Sequence, residues 1–360
     1  MLVSLTHLKA EQHMEFSANS LISVCIPVFN AECTLRRCLE SVAVQSYTNW
    51  ELIIVNDGSL GTDENGYDCY KIVKQFKKEF KSFRKKIIYL EHRTNLGLLE
   101  ARRSLVLSSH GEYITMLDAD DALLPDALMQ FFNAAQKSNA DIIHGGTEII
   151  SNSQSYTDST NQDLIKKRVM QMTQKTNNIY VGELFYKDIF EGYLIQNNHI
   201  GFLWGKLIKK ALYEKALSYI PFSKCVFAED FLQYFFISFE AKKYYGIKEK
   251  VYSYSVDTGI SSFNKITNLN KWEQICSTAT VFSIIFSVIK EFPENTFSMD
   301  EMEAVRASSR SYLANNINQL RAEVIPELQP AARQMLCDYW GENFVETMEK
   351  AMTIFADTAG

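Results

Sequence analysis

Hydrophobic and polar positions along the first 150 residues follow two alternating periods. Residues 21–28 (LISVCIPV), 51–55 (ELIIV), 87–90 (IIYL), 113–117 (YITML) and 141–144 (DIIH) are short apolar runs rich in β-branched and aromatic residues. Such runs predict buried strands. Between the first two, residues 33–45 place Leu35, Cys38, Leu39 and Val42 at helical spacing. Residues 67–82 do the same, with Ile72, Val73, Phe76, Phe80 and the following Phe83 on one face. Further helices fall near 97–108 and 125–138. Strands and helices in this order predict a doubly wound α/β sheet over roughly residues 20–150.

Beyond that point the pattern changes. Residues 151–178 begin with a run of Ser, Asn and Thr and read as a long loop or insertion. Residues 180–262 are aromatic-rich with no single period, and from 268 the pattern is helical. Ser298 and Glu301 form a capping box at a helix start, with Pro326 and Pro330 as later breaks. The most apolar run, residues 278–289 (TATVFSIIFSVI), is shorter than a bilayer span and reads as a buried helix.

Composition narrows the picture. The 360 residues hold one large domain or two ordinary ones, and 46% hydrophobic residues predict a packed core. A net charge of −6 gives no overall attraction to nucleic acid. The lysine-rich stretch 71–86 reads as a solvated helix face. Seven scattered cysteines without a CxxC pair point to neither a disulfide framework nor a zinc site, and fit a reducing cytosol. His92, His110, His144 and His199 show no ligand-like spacing. The first twenty residues lack the apolar core of a secretory signal.

In an open α/β sheet, ligands bind beyond the carboxyl ends of the strands. Phe29, Asn30, Ala31 and Glu32 follow the first strand, and Asn56, Asp57, Gly58 and Ser59 the second. Asn95, Leu96 and Gly97 follow the third. The fourth ends in ITMLDADDALLPD (114–126), which masses Asp118, Asp120 and Asp121 in four residues. Carboxylates this close repel unless something positive sits among them. On an extended chain Asp118 and Asp120 face the same way, and a pair of carboxylates suits Mg²⁺ or Mn²⁺ bridging a diphosphate. Asp121 reads as a complement to a helix dipole. Each group also has a plainer reading. Asp57-Gly58-Ser59 makes a turn, Arg102 a solvated helix arginine, Phe202, Leu203 and Trp204 core packing, and Glu229-Asp230 a helix cap.

Six motifs in order favour the chemical reading. PVFNAE (27–32), VNDGS (55–59), NLGLLEAR (95–102), LDADD (117–121), FLWGKLIKKALYE (202–214) and FAEDFLQYFF (227–236) together resemble the family 2 glycosyltransferases. The resemblance implies an α/β, Rossmann-like GT-A nucleotide-sugar-binding domain with a mostly α-helical C-terminal extension. It implies that Pro27, Val28, Phe29 and Glu32 border the uridine and that Asp57 accepts from the uracil ring. Asn95, Arg102, Asp118 and Ala119 would adjoin the nucleotide sugar, with Asp118 and Asp120 on a Mn²⁺ or Mg²⁺ cofactor. Asp230 would be the base, with Trp204 and Glu229 on the acceptor side. Arg103 stands where the family usually has asparagine.

The layout that follows is an N-terminal segment 1–20, a catalytic domain 21–262 and a helical region 263–360. Residues 21–150 are its nucleotide-binding half and 151–262 its acceptor-binding half. The implied activity is inverting, metal-dependent transfer of a hexosyl or N-acetylhexosaminyl group from a UDP-sugar to a glycan or glycolipid acceptor. Surface polysaccharide or lipooligosaccharide synthesis is the implied setting, in the cytoplasm, with peripheral membrane association open. A sugar-nucleotide nucleotidyltransferase would need a glycine-rich basic loop that residues 21–32 lack. A non-catalytic sugar-nucleotide-binding scaffold would have no use for intact Asp118, Asp120 and Asp230.

Overall fold

The structure, a computed structural model, describes residues 19–151, 159–176, 178–256 and 265–358. The N-terminal segment 1–20 and the far end of the acceptor half, from 257, therefore lie almost wholly outside the described residues.

The first half alternates as its periodicity predicts. β1 (Ile22–Val28), α1 (Glu32–Ala43), β2 (Trp50–Asn56), α2 (Cys69–Glu79), β3 (Ile87–Glu91), α3 (Leu98–Ser108) and β4 (Tyr113–Met116) follow in order. The short β5 (Ala122–Leu123), α4 (Ala127–Ser138) and β6 (Ile142–Ile150) come next. β1 and β2 are buried at every position, which is why they read as largely apolar runs, and the Ser23 hydroxyl inside them donates to the Glu51 carboxylate. α2 is shorter than the pattern suggests: Asp68 caps it by accepting from the Lys71 N–H, and residues 81–86 form a tighter 3₁₀ turn.

The expected loop at 151–178 is a correction. Its second part is α5 (Ser159–Thr176), while residues 152–158 lie outside the described residues. Turn-forming Ser and Asn dominate the beginning of the stretch, but Leu, Lys, Arg, Met and Gln after Asp163 are strong helix formers. β7 (Gly182–Phe185), α6 (Lys187–Leu194), β8 (Lys206–Lys209), α7 (Lys210–Ser218), α8 (Glu229–Glu240) and the long β9 (Lys243–Ser255) complete the sheet region.

The nine strands form one sheet in the order β3-β2-β1-β4-β8-β6-β9-β5, with β7 also on β9. β1, β2, β3 and β4 are parallel, whereas β8 runs antiparallel between β4 and β6. Strand order reverses between β1 and β4, and their carboxyl ends lie side by side, with the Leu117 N–H donating to the Cys25 carbonyl at 2.9 Å. This is a topological switch point.

Alternate strand residues face opposite layers. Ile22, Val24, Ile26 and Val28 pack with α1, α2 and α4, while Cys25, Ile53 and Val55 join α3, α7 and α8. The chain ends in α9 (Leu269–Cys276), α10 (Thr278–Ile289), α11 (Met299–Ala322), α12 (Gln329–Trp340) and α13 (Glu342–Thr358). The Ser298–Glu301 capping box is present. α9 and α10 run on to make Leu269–Ile289, a stretch long and apolar enough by composition to cross a membrane. The run 278–289 is α10, short and buried as expected, within that longer stretch. Its apolar residues pack inside: Val281, Phe282 and Ile285 with α8, and Trp272 and Ile275 with α11 and α12.

Candidate active site

The loops leaving the switch point enclose a cavity of about 560 Å³. Pro27, Val28 and Phe29 supply its wall from β1, Asp57 and Asn95 enter from the loops after β2 and β3, and Asp118 to Asp121 supply the floor beyond β4. Of the residues expected at the nucleotide sugar, Glu32 and Arg102 are not on this lining. The Glu32 carboxylate is buried in the first turn of α1 and faces the Cys69 thiol of α2 at 3.5 Å.

The turn after β2 is sterically determined. Gly58 has φ +72°, and a Cβ there would lie 2.7 Å from the Thr94 carbonyl carbon. Only glycine combines that backbone with that approach. Beside it, Asp57 is buried and its carboxylate accepts from the Leu96 and Gly97 N–H groups, each at 2.9 Å. His92, which the sequence does not mark out, contacts Asp57 Oδ1 through Nδ1 at 2.7 Å and Ser104 Oγ through Nε2 at 2.9 Å. Asp57 is thus the clasp joining the loops after β2 and β3.

The acidic floor is a turn rather than an extended strand. The Asp121 N–H donates to the Asp118 carbonyl at 3.0 Å, so Asp118 and Asp120 share the cavity because the backbone folds back. The expected alternation along an extended strand is not what brings them together. The dipole role of Asp121 is corrected as well: α4 begins later, at Ala127, and Asp121 is buried. Its carboxylate accepts from Tyr252 Oη at 2.8 Å and the Ser255 N–H at 2.7 Å. Burial, reinforced by Asp120 and Asp118, pushes the Asp121 carboxyl well above the usual range, toward its neutral form.

The cluster also has positive partners within the protein. Arg102 is 3% exposed and bridges two acids: Nη2 reaches Asp118 Oδ1 at 3.1 Å, and Nη1 pairs with Glu229 Oε1. Burial alone would lower the guanidinium, but Glu229 and Asp118 more than offset it and raise its pKa. Arg37 donates to the Asp120 carbonyl and, at 3.0 Å, to Ser255 Oγ. Neither a solvated helix arginine nor a metal acting alone accounts for the cluster.

Arg102 leads from the cavity to the start of α8. There Ala228 adopts φ +59°, a strained value for a residue with a Cβ, immediately before Glu229 and Asp230. Burial pushes Glu229 up to about 8 against the pull of Arg102. It also raises Asp230, which Arg102 and Lys175 partly offset. Neither carboxylate lines the cavity itself.

Trp204 does not present an open face. It is 5% exposed and stacked between Phe202 at 4.7 Å and Tyr252 at 4.9 Å. Val226, Phe227, Tyr254 and Gln274 also line the cavity, the last from α9. No local pattern around Gln274 or Arg37 distinguishes them in the sequence.

Among the described residues, no three His, Cys, Asp or Glu groups converge to cage a metal. Asp118 and Asp120 on the cavity floor are nevertheless a hard-oxygen donor set. They would suit a hard divalent ion such as Mg²⁺ or Mn²⁺.

Comparison with known proteins agrees with this architecture. The model of glycosyl transferase family 2 matches residues 23–222. The glycosyltransferase GlyA of Streptococcus pneumoniae is 29% identical over 194 residues, 54% of this chain and 25% of that protein. WfgD of Escherichia coli, a UDP-Glc:alpha-D-GlcNAc-diphosphoundecaprenol beta-1,3-glucosyltransferase, is 30% identical over 132 residues, 37% of this chain and 47% of its own. The chain thus spans less than half the length of either relative. The structure of S. aureus TarS 1-349 in complex with UDP-GlcNAc superposes with a TM-score of 0.50 at 17% identity, covering 92% of both chains.

Proposed function

The chain belongs to the family 2 glycosyltransferases, and on that premise we propose that it transfers a sugar from a UDP-linked donor to a hydroxyl of a glycan or glycolipid acceptor, inverting the anomeric carbon. The observation that carries this reading is the buried Arg102, which ties Asp118 on the donor cavity to Glu229 beside Asp230. A donor site and a candidate base share one ion network.

The UDP donor is supported by the names of similar proteins: WfgD is named for UDP-Glc, and TarS has complexes with UDP and UDP-GlcNAc. WfgD's named acceptor is diphosphoundecaprenol-linked, which supports a glycolipid acceptor and a cytoplasmic site at the membrane face. In this reading uracil packs against Pro27, Val28 and Phe29. Asp57 Oδ2, which accepts one bond from Gly97, has capacity for the ring N–H. Asn95 and Ala119 border the rest of the nucleotide sugar. Asp118 and Asp120 hold Mn²⁺ or Mg²⁺, which when bound neutralises charge on the departing diphosphate.

Asp230 removes the acceptor hydroxyl proton as that oxygen bonds to C1 and the C1–diphosphate bond breaks. Residues 21–150 form the nucleotide half and 151–262 the acceptor half, with Gln274 of the helical region 263–360 added to the donor wall. The test is a panel of UDP-sugars with Mn²⁺, read by UDP release and by the rise in melting temperature that a bound ligand produces. A melting response to other nucleotide sugars but to none of the UDP-sugars would overturn the donor class. Consumption of a nucleoside triphosphate would point to a nucleotidyltransferase instead.

A further inference from the structure

Away from the acidic floor, one surface breaks the charge pattern of the rest of the chain. Residues 71–86 hold eight basic residues and one acid, which gives the stretch +7; the whole chain is −6, so the remainder carries −13. On α2, Ile72, Val73 and Phe76 are buried, while Lys71, Lys74 and Lys78 are exposed at three- and four-residue spacing, on one face. The 3₁₀ turn that follows adds Lys81, Arg84 and Lys85, also exposed. Glu79, the one acid, pairs with Arg36 of α1.

A solvated helix face interleaves acids with its lysines. Exposed helices elsewhere in this chain do so. Lys187 pairs with Glu191 on α6, Arg306 and Arg310 with Glu303 on α11, and Lys350 with Glu346 on α13. Among the described residues, no carboxylate pairs with Lys74, Lys78, Lys81, Arg84 or Lys85. Like charges at this spacing repel, a local cost that nothing in the packing offsets.

Apolar groups border the same face. Tyr70, 53% exposed, precedes Lys71, and the Lys74 ammonium lies 5.6 Å from its ring centre. Leu60 is 97% exposed, and it lines one groove together with Tyr70. The Leu60 N–H donates to Asn30 Oδ1 at 3.3 Å, and Asn30 is on the lining of the donor cavity. The basic face therefore ends in two apolar side chains beside that cavity.

We propose that this face docks on an anionic lipid bilayer. The lysines and Arg84 lie against acidic headgroups, and Leu60 and Tyr70 enter the interface, where an aliphatic tip and an amphipathic ring are both accommodated. A nucleic acid would meet the lysines but leave Leu60 in water. Docking in this way brings the cavity to the leaflet that would carry a lipid-linked acceptor. The purpose rests on the glycolipid reading above; the binding itself does not.

The experiment sediments the full chain with vesicles of phosphatidylcholine alone, and with vesicles containing about one third phosphatidylglycerol, at physiological salt. No donor or acceptor is present, so the result stands apart from the UDP-sugar panel. The chain should pellet with the acidic vesicles only. Each lysine close to an anionic leaflet multiplies partition by about fivefold. Lys74→Gln, Lys78→Gln, Lys81→Gln and Lys85→Gln together should therefore lower it at least about a hundredfold. The same change at Lys215, Lys248, Lys290 and Lys350, exposed elsewhere, should leave it within about fivefold of the unaltered chain. Leu60→Ser should weaken it about tenfold with the lysines intact. Equal partition onto both vesicle types, or equal loss from the two lysine sets, would overturn the docking surface. A chain that binds duplex DNA but neither vesicle would make the face a nucleic-acid surface instead. Unchanged binding in Leu60→Ser would overturn the apolar insertion.

Discussion

Arg102 and Glu229, 127 positions apart, form an ion pair that water does not reach. Through it, the helix after β3 and the start of α8 hold one another across the carboxyl edge of the sheet. The remaining guanidinium arm reaches Asp118, so the cavity floor and the start of α8 are joined by a single side chain.

Breaking that pair should destabilise the fold. Above the pH at which Glu229 ionises, about 8, Arg102→Ala leaves that carboxylate buried without a counter-ion, and the expected loss is about 3–5 kcal/mol. Urea denaturation measures it, and a loss no larger than that of an exposed arginine on α11 would contradict the bridge.

The cavity floor makes the opposite prediction. Asp120 lies on a turn at a strand end rather than in a core, so Asp120→Asn should fold normally while losing transfer and Mn²⁺-dependent UDP affinity. Calorimetric titration of UDP with and without Mn²⁺ would decide the matter, since equal Mn²⁺ enhancement in both proteins removes Asp120 from the metal.

Asp57 holds the loop clasp and, in the proposed reading, the uracil, and both should suffer in Asp57→Ala. It accepts two backbone N–H groups and meets His92, and hydrogen bonds to a charged group contribute about 1.5–3 kcal/mol each. Both melting temperature and UDP affinity are expected to fall. His92→Ala should lower stability with a smaller effect on UDP, because His92 holds the clasp from behind.

The elevated Glu229 carboxyl links stability to pH. Its folded value, about 8, lies above the ordinary 4.5, so the folded state holds the proton more tightly. The resulting stability is complete below 4.5 and is lost as pH rises through about 8. Glu229→Gln cannot titrate and should flatten that part of the melting profile. An unchanged slope in this interval would show that another group carries it.

Binding and chemistry should separate at α8. Asp230→Asn keeps the side-chain size but accepts no proton, so kcat should drop by about 10²–10⁴-fold with donor affinity nearly intact. Glu229→Gln should reduce kcat less. If Glu229→Gln were the inactive protein and Asp230→Asn the active one, the base would be the neighbouring residue.

The strands of residues 21–150 were legible because burial on both faces writes a largely apolar run into the chain, as in β1 and β2. The loops carrying Asp57, Asn95 and Asp118 could be located because they must follow those strands. What escaped notice acts across distance. His92 and Arg37 gain their roles only when α3 and α1 are brought against the site, and no period along the chain encodes that meeting. No local pattern orients Trp204, because the rings that bury it belong partly to β9. α5 was obscured by its polar beginning.

One consequence lies in the second core. Val281, Phe282 and Ile285 of α10 share it with Leu232 and Phe235 of α8 and, through them, with Cys25 and Ile53 of the sheet. The seat of Glu229 and Asp230 is thus upholstered by the tail. Residues 21–240 of a relative could not be grafted onto a foreign tail without disturbing that seat. Within this lineage, size changes at Val281 should be matched by opposite changes at Leu232 or Phe235, so that drift in the tail leaves its record beside the site.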